Sequence, residues 1–136
     1  MNRNPEILKV SKRLAGVFHV IGSPPRIAIL IAIGRGEACV CHLEAALGWR
    51  QAYISQHLMA LRKESVLQDR RDGRFIYYRL ADSSILDILL DAARLSGLNP
   101  NSLAALIGSR KNASCGCPKC VPPPILPKRR LAGKIK

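Results

Sequence analysis

A mainly α-helical chain carrying one β-hairpin, in the order α-α-α-α-β-β-α, is the fold class this sequence predicts. Three observations carry the prediction. Apolar residues recur at i, i+3 and i+4 through most of residues 5–64 and again through 83–95, which is the period of a helix rather than of a strand. Two extended runs, 66–71 and 74–80, flank Asp72-Gly73, a dipeptide suited to tight hairpin turns. Two short helical stretches also meet at Gly48 with room for only a tight turn between them.

The elements follow in order. Residues 5–21 form a first helix: Pro5 suits its first turn, Ile7, Leu8, Leu14, Val17, Phe18 and Ile21 make a wide apolar stripe, and Gly22 ends it. His19 sits among these apolar neighbours and reads as a core or interface residue. Ser23 caps a second helix that runs from Pro24-Pro25 to Ile33. That helix is apolar nearly all round, so it should be central, and Gly34-Arg35-Gly36 stops it. A third helix starts near Cys39–Cys41 and ends at Leu47, with Val40, Leu43 and Leu47 inward. After Gly48 a fourth runs to Glu64, burying Ile54, Leu58 and Leu61, with Trp49 packing at the turn. The hairpin follows. Residues 83–95 form a fifth helix, capped by Asp82 or Ser83 and ended by Asn99-Pro100, and a short helical piece spans Ser102 to Ile107. Beyond Gly108 the pattern is lost among prolines and basic residues. The expected division is therefore a folded unit over 1–98, then a short helix and a basic, Cys- and Pro-rich tail over 99–136.

The fourth helix is not filled like a solvated surface. Opposite its apolar face it offers Arg50, Gln51, Tyr53, Ser55, Gln56 and His57, groups that bond to base edges and phosphates. A polar second helix after a tight turn is a helix-turn-helix. A basic hairpin directly behind it, with Arg70, Arg71 and Arg74 expected at the tip, is a wing that grips phosphates or the minor groove. The winged helix-turn-helix is thus the expected architecture and double-stranded DNA the expected partner. Charge agrees. The formal net charge is +13, with eight basic and no acidic residues after Gly108, and fourteen basic against nine acidic before it. The first and fifth helices hold more apolar surface than one small core needs, which predicts a homodimer joined through these terminal helices. A membrane is not expected, since the longest apolar run, Ile27 to Ile33, is far too short to span one. The polar N-terminus lacks a signal-peptide core, so the expected location is the cytoplasm, where the five cysteines serve as metal or redox ligands rather than structural disulfides.

Several words in this order resemble the ArsR/SmtB family of winged-helix repressors. Glu37-Ala38-Cys39-Val40-Cys41-His42-Leu43 resembles its Glu-Leu-Cys-Val-Cys-Asp-Leu metal box. Ile54-Ser55-Gln56-His57-Leu58 resembles its reading helix, and Asp72-Gly73-Arg74-Phe75-Ile76-Tyr77-Tyr78-Arg79-Leu80 its wing. Ser23-Pro24-Pro25-Arg26-Ile27 is similar to its entry into the second helix, and the match is colinear over residues 7–95. The resemblance implies a homodimer on a two-fold operator that represses transcription and lets go when an inducer binds. The usual inducers are metal ions and metalloids such as arsenite, while some members sense thiol oxidation or persulfide.

The cysteines depart from the family pattern. Cys39 and Cys41 are two apart and share no helix face, so both reach one ion only if Cys39 caps the third helix and Cys41 lies in its first turn, or if that turn unwinds. A helix start favours the thiolate. Where the arsenite-type box has a third cysteine, Glu44 stands, and with His42 it would suit zinc or cadmium better than As(III) or Sb(III). Cys115, Cys117 and Cys120 of the tail either supply the missing sulfur or form a second three-sulfur site. The aspartate and histidine pattern of the family's fifth-helix zinc site is broken, for Asp82 has no histidine after it in 83–95. Cysteine oxidation is the rival signal. A thiol enzyme or metallochaperone is the remote alternative: Cys117-Pro118-Lys119-Cys120 lies in a proline-rich tail, not the setting such chemistry needs, so no enzyme is expected.

Overall fold

The chain begins to turn at Asn4, whose side-chain oxygen accepts hydrogen bonds from the backbone N–H groups of Glu6 and Ile7 and so starts a helix with proline at its first position. The structure, a computed structural model, describes residues 4–109. Along them run α1 (Pro5–Ile21), α2 (Pro24–Ile33), β1 (Ala38–Cys39), α3 (Val40–Leu47), α4 (Gln51–Lys63), β2 (Leu67–Asp72), β3 (Phe75–Leu80), α5 (Ser84–Leu95) and α6 (Pro100–Leu106). This is a winged helix-turn-helix, the expected fold class.

Local chemistry sets most boundaries. Ser23 Oγ accepts from the Arg26 N–H at the head of α2. Gly48, at φ 70° and ψ 23°, takes the left-handed conformation that ends α3 and turns the chain into α4. Two elements differ from expectation. The two-residue strand β1 was not foreseen. It pairs antiparallel with β3, Ala38 opposite Tyr78 and Cys39 opposite Tyr77, so the sheet order is β1-β3-β2. Asn99-Pro100 does not end α5. It starts α6, with Asn99 accepting from the Asn101 N–H and proline in the first turn, a position where its missing donor costs nothing. At the start of α5 the capping bond comes from Asp82, which accepts from the Ser84 N–H at 2.9 Å, and not from the Ser83 side chain. That bond holds the Asp82 carboxyl below its usual range, so its contribution to stability is present at neutral pH and lost as pH falls through the carboxylate range.

The core gathers on α2. Its Ile29, Leu30 and Ile33 pack with Leu43 of α3, Ile54, Leu58 and Leu61 of α4, Leu67 of β2, and Leu86 and Leu89 of α5. Tyr77 and Cys39 form a smaller buried cluster between sheet and α3, with Cys41, Ala45 and Phe75 packed against it. In contrast, α1 gives the core only Ile21 as a buried residue. Ile7, Leu8, Val10, Leu14, Val17 and Phe18 are all exposed in the single chain.

The C-terminal end of α6 is sutured to that of α2. Gly108 donates its N–H to Ile31 O at 2.7 Å. A Cβ added at Gly34 would lie 2.6 Å from Gly108 Cα, and Gly34 has φ +64° and ψ −144°, a region essentially open only to glycine. Gly34→Ala should cost about 1–3 kcal/mol for backbone conformation alone. Thermal unfolding should show a midpoint lowered by roughly 4 °C or more; an unchanged midpoint would mean that the contact opens freely.

Candidate functional site

Helix α4 buries Ile54, Leu58 and Leu61 completely, and this fixes its other faces. At 3.6 residues per turn the side opposite that trio carries Ala52, Gln56, Met59 and Lys63, all exposed. Gln51 and Ser55 lie on one flank, the latter half-buried, and Tyr53 and His57 on the other. Arg50 is the exposed N-cap, with an extended backbone and no side-chain capping bond of its own. Trp49, Tyr53 and His57 stack edge to face, with ring centroids 5.4 Å and 4.8 Å apart, which orders the flank before any ligand arrives. Burial first, and then the Arg26 charge, lower the His57 pKa and favour the neutral ring. Of the six residues of this helix expected to face DNA, only Gln56 lies on the outward line, which it shares with Ala52, Met59 and Lys63. Counting 100° per residue from the buried trio was the available signal.

The hairpin separates its arginines. Arg71 and Arg74 are exposed beside the turn that Gly73 makes at φ +64°. Arg70 is not a tip residue. It sits opposite Tyr77 in the ladder, its guanidinium 4.7 Å from the centre of that ring. Its Nε and Nη2 donate to the two carboxylate oxygens of Glu37 at 2.7 Å and 2.8 Å. This bidentate bond raises the Arg70 pKa further and ties the wing to the residue before β1. Arg62 is also engaged, 3.2 Å from Asp69.

The thiol pair lies at the start of α3, which packs on α4. Cys39 is the N-cap, its Sγ accepting from the His42 N–H at 3.3 Å, and Cys41 lies in the first turn. Their sulfurs are 2.7 Å apart, beyond the ~2.05 Å of a disulfide bond. Of the arrangements that the spacing allows, the cap with the first turn is the one present, and two soft donors converge where one ion could take both. Cys39 is buried and Cys41 half-buried, so access is from the Cys41 side. His42 is fully buried and Glu44 half-buried. Among the described residues no group of three or more His, Cys, Asp or Glu side chains is placed to hold a metal ion. Cys115, Cys117 and Cys120 lie outside the described residues. No single described helix is long and apolar enough to cross a membrane, and the pair α1 and α2 is bent by 79°.

Comparison with known proteins adds to this geometry. Residues 23–68, from the cap of α2 into β2, match the arsR family of bacterial regulatory proteins. The chain is 36% identical over 109 residues to an arsenic resistance transcriptional regulator of Pseudomonas putida, covering 74% of this chain and 84% of that one. It is 32% identical over 91 residues to a transcriptional repressor SmtB homolog of Synechocystis, covering 65% and 69%. Among solved structures, NolR from Sinorhizobium fredii superposes with a TM-score of 0.63 at 29% identity, covering 73% of this chain and 99% of NolR.

Proposed function

Because the chain belongs to the arsR family of DNA-binding transcriptional regulators and is not an enzyme, we propose that it is a cytoplasmic homodimeric repressor. It holds a two-fold operator through α4 and the wing, and releases it when cysteine thiolates bind a soft metal or metalloid ion. The observation that carries the inducer half is the pair of sulfurs at the first turn of α3, on the helix that braces the reading helix. Cys39 and Cys41 would supply two thiolates to such an ion. Drawing both sulfurs to one ion would shift Cys39 from the cap position it holds against the His42 N–H and would load β1, of which Cys39 is the last residue, against its ladder with β3. Through that ladder and the Glu37–Arg70 bond, strain at the box reaches the wing as well as α4.

On DNA, the two α4 helices of a dimer lie about 34–36 Å apart, one turn of the duplex. Gln51 or Gln56 contacts adenine, Arg50 contacts phosphate or guanine, and Tyr53, Ser55 and His57 mix base and phosphate contacts. Arg71 and Arg74 set affinity through phosphates. Arg70 can add to them only by sharing or leaving Glu37. Arg74→Ala should therefore weaken binding to all sequences alike and reduce the slope of log affinity against log salt by about one. A relaxed sequence preference would instead make Arg74 a base reader.

A trivalent metalloid needs a third sulfur, and the tail can supply it. Gly34 and Cys39 are five residues apart, hence at most about 18 Å, and Gly34 touches Gly108. Seven residues separate Gly108 from Cys115 in the sequence, a contour length of up to about 24 Å, which is long enough for a box on its own or on a partner subunit. The same closeness of Cys39 and Cys41 also favours a second reading, in which oxidation to a disulfide or persulfide is the signal.

Fluorescence anisotropy of a fragment of the protein's own promoter separates these. Reduced protein is titrated with arsenite, antimonite, cadmium and zinc, and separately with peroxide or polysulfide, as the full chain and as a chain cut after Gly108. Release by arsenite that the cut abolishes supports the shared three-sulfur site, and release by cadmium or zinc that survives the cut supports the box alone. Release by oxidants alone replaces the metal reading with the redox one, and no release by any of them would overturn the inducer half.

A further inference from the structure

Resting on the DNA-binding reading of α4, we infer that Ala52 and Met59 give this interface an apolar reading line that recognises the 5-methyl groups of two thymines, on either side of an adenine read by Gln56. Ile54, Leu58 and Leu61 are fully buried, so Ala52, Gln56 and Met59 point away from the body along one line. Met59 is 67% exposed, and Tyr53 at 42% is the other large apolar residue of α4 to stand out. Scattered exposed apolar side chains are ordinary on protein surfaces. Met59 is set apart by its place on the outward line, between an amide at Gln56 and a cation at Lys63, in a chain whose net charge is +13.

A helix drawn to DNA by that charge brings its outward line to the groove floor. The floor of the major groove offers donors and acceptors, for which Gln56 is suited, and one kind of apolar group, the thymine methyl. Methionine, unbranched and with three rotatable bonds, can follow such a methyl across small changes of groove shape. Alanine one turn before Gln56 lets the start of the helix approach closely while offering a methyl of its own. The guanidinium nearest Met59 along the chain, that of Arg62, is bound to Asp69 and leaves the line to the apolar side chain. Ala52 and Met59 are seven residues apart, about 10 Å along the axis, which is close to three base-pair steps. The inferred pattern is thus two thymines about three base pairs apart in each half-site, on whichever strand presents its methyl.

Uracil differs from thymine by that methyl alone, so it tests the inference directly. Sites are enriched from a random duplex library with the full-length protein, and each thymine of the enriched half-site is replaced in turn by uracil. Wild-type affinity should fall about fourfold at each of two positions, the value of one buried methyl. Met59→Ala should bind the parent site about fourfold more weakly and lose sensitivity at one position only. Ala52→Gly should do the same at the other, about three base pairs away. Circular dichroism confirms that both variants remain folded. Uracil effects that are absent, or that Met59→Ala leaves intact, overturn the inference while leaving sequence-specific binding standing. A library that yields no enriched site overturns the DNA-reading proposal and this inference together.

Discussion

A chain carrying Leu14→Glu and Phe18→Glu is expected to sediment as a monomer and to bind its operator about a hundredfold more weakly or worse. Leu14 and Phe18 are four residues apart on α1 and both more than half exposed in the single chain, in the middle of a stripe that begins at Ile7. That stripe adds one buried residue, Ile21, to the subunit's own core. Leaving so much contiguous apolar surface in water is unfavourable, by roughly 25 cal/mol per Å2, and a second copy of α1 is the covering surface that the proposed two-fold arrangement offers. Carboxylates there leave the core around α2 untouched, so the monomer should keep its helical circular dichroism. Affinity falls because the second half-site is no longer held at high effective concentration, an effect worth 10²–10⁴-fold in linked binders. Analytical ultracentrifugation beside operator titration checks it. A variant that stays dimeric would remove α1 from the interface, and a monomer with full affinity would remove the two-fold operator.

The second large effect is expected at the thiol pair. Cys39→Ser with Cys41→Ser should bind the uninduced operator within about twofold of wild type yet fail to release it at any concentration of the effective ion. Serine is a favoured N-cap, so the acceptor for the His42 N–H at the head of α3 is retained and the resting fold is preserved. Hydroxyls are poor ligands for soft ions, so the signal is lost. The wild-type response expected from ordinary coupling is about 5–150-fold in affinity. Glu37→Gln tests the route by which it travels: the Arg70 guanidinium loses its bidentate carboxylate partner and keeps, of its carboxylate contacts, only the 3.8 Å one with Asp72 within its own strand, so the ion should still bind but release should be blunted. Full release from the double serine variant would place the sensor in the tail.

Much of this protein was legible in one dimension because its signals are local. The capping bond of Ser23, the turn at Gly48 and the hairpin at Asp72-Gly73 each depend on residues within four positions of one another. The two-residue spacing of Cys39 and Cys41 left a cap with a first turn, or an unwound turn, as the ways to bring both to one ion, and the first is the arrangement found. The misreadings concern longer range or finer register. Arg70 looked like a tip residue until Glu37, thirty-three positions away, was found holding it. Strand β1 is too short to carry a pattern, and it exists because β3 offers Tyr77 and Tyr78 as ladder partners. Asn99-Pro100 can follow one helix or open another, and the docking of Leu103 and Ile107 against the core favours the second.

The sequence by itself determined the helical periods, the caps, the hairpin, the basic charge and the presence of a polar helix behind a tight turn, since each follows from spacing and side-chain chemistry. Only the tertiary structure decided which arginine of the wing is already held by a carboxylate, that a short third strand pairs with β3, and that Asn99-Pro100 opens a helix against the core. Those depend on which surfaces of one element another element covers, and burial is a property of pairs of elements that no single stretch of chain contains.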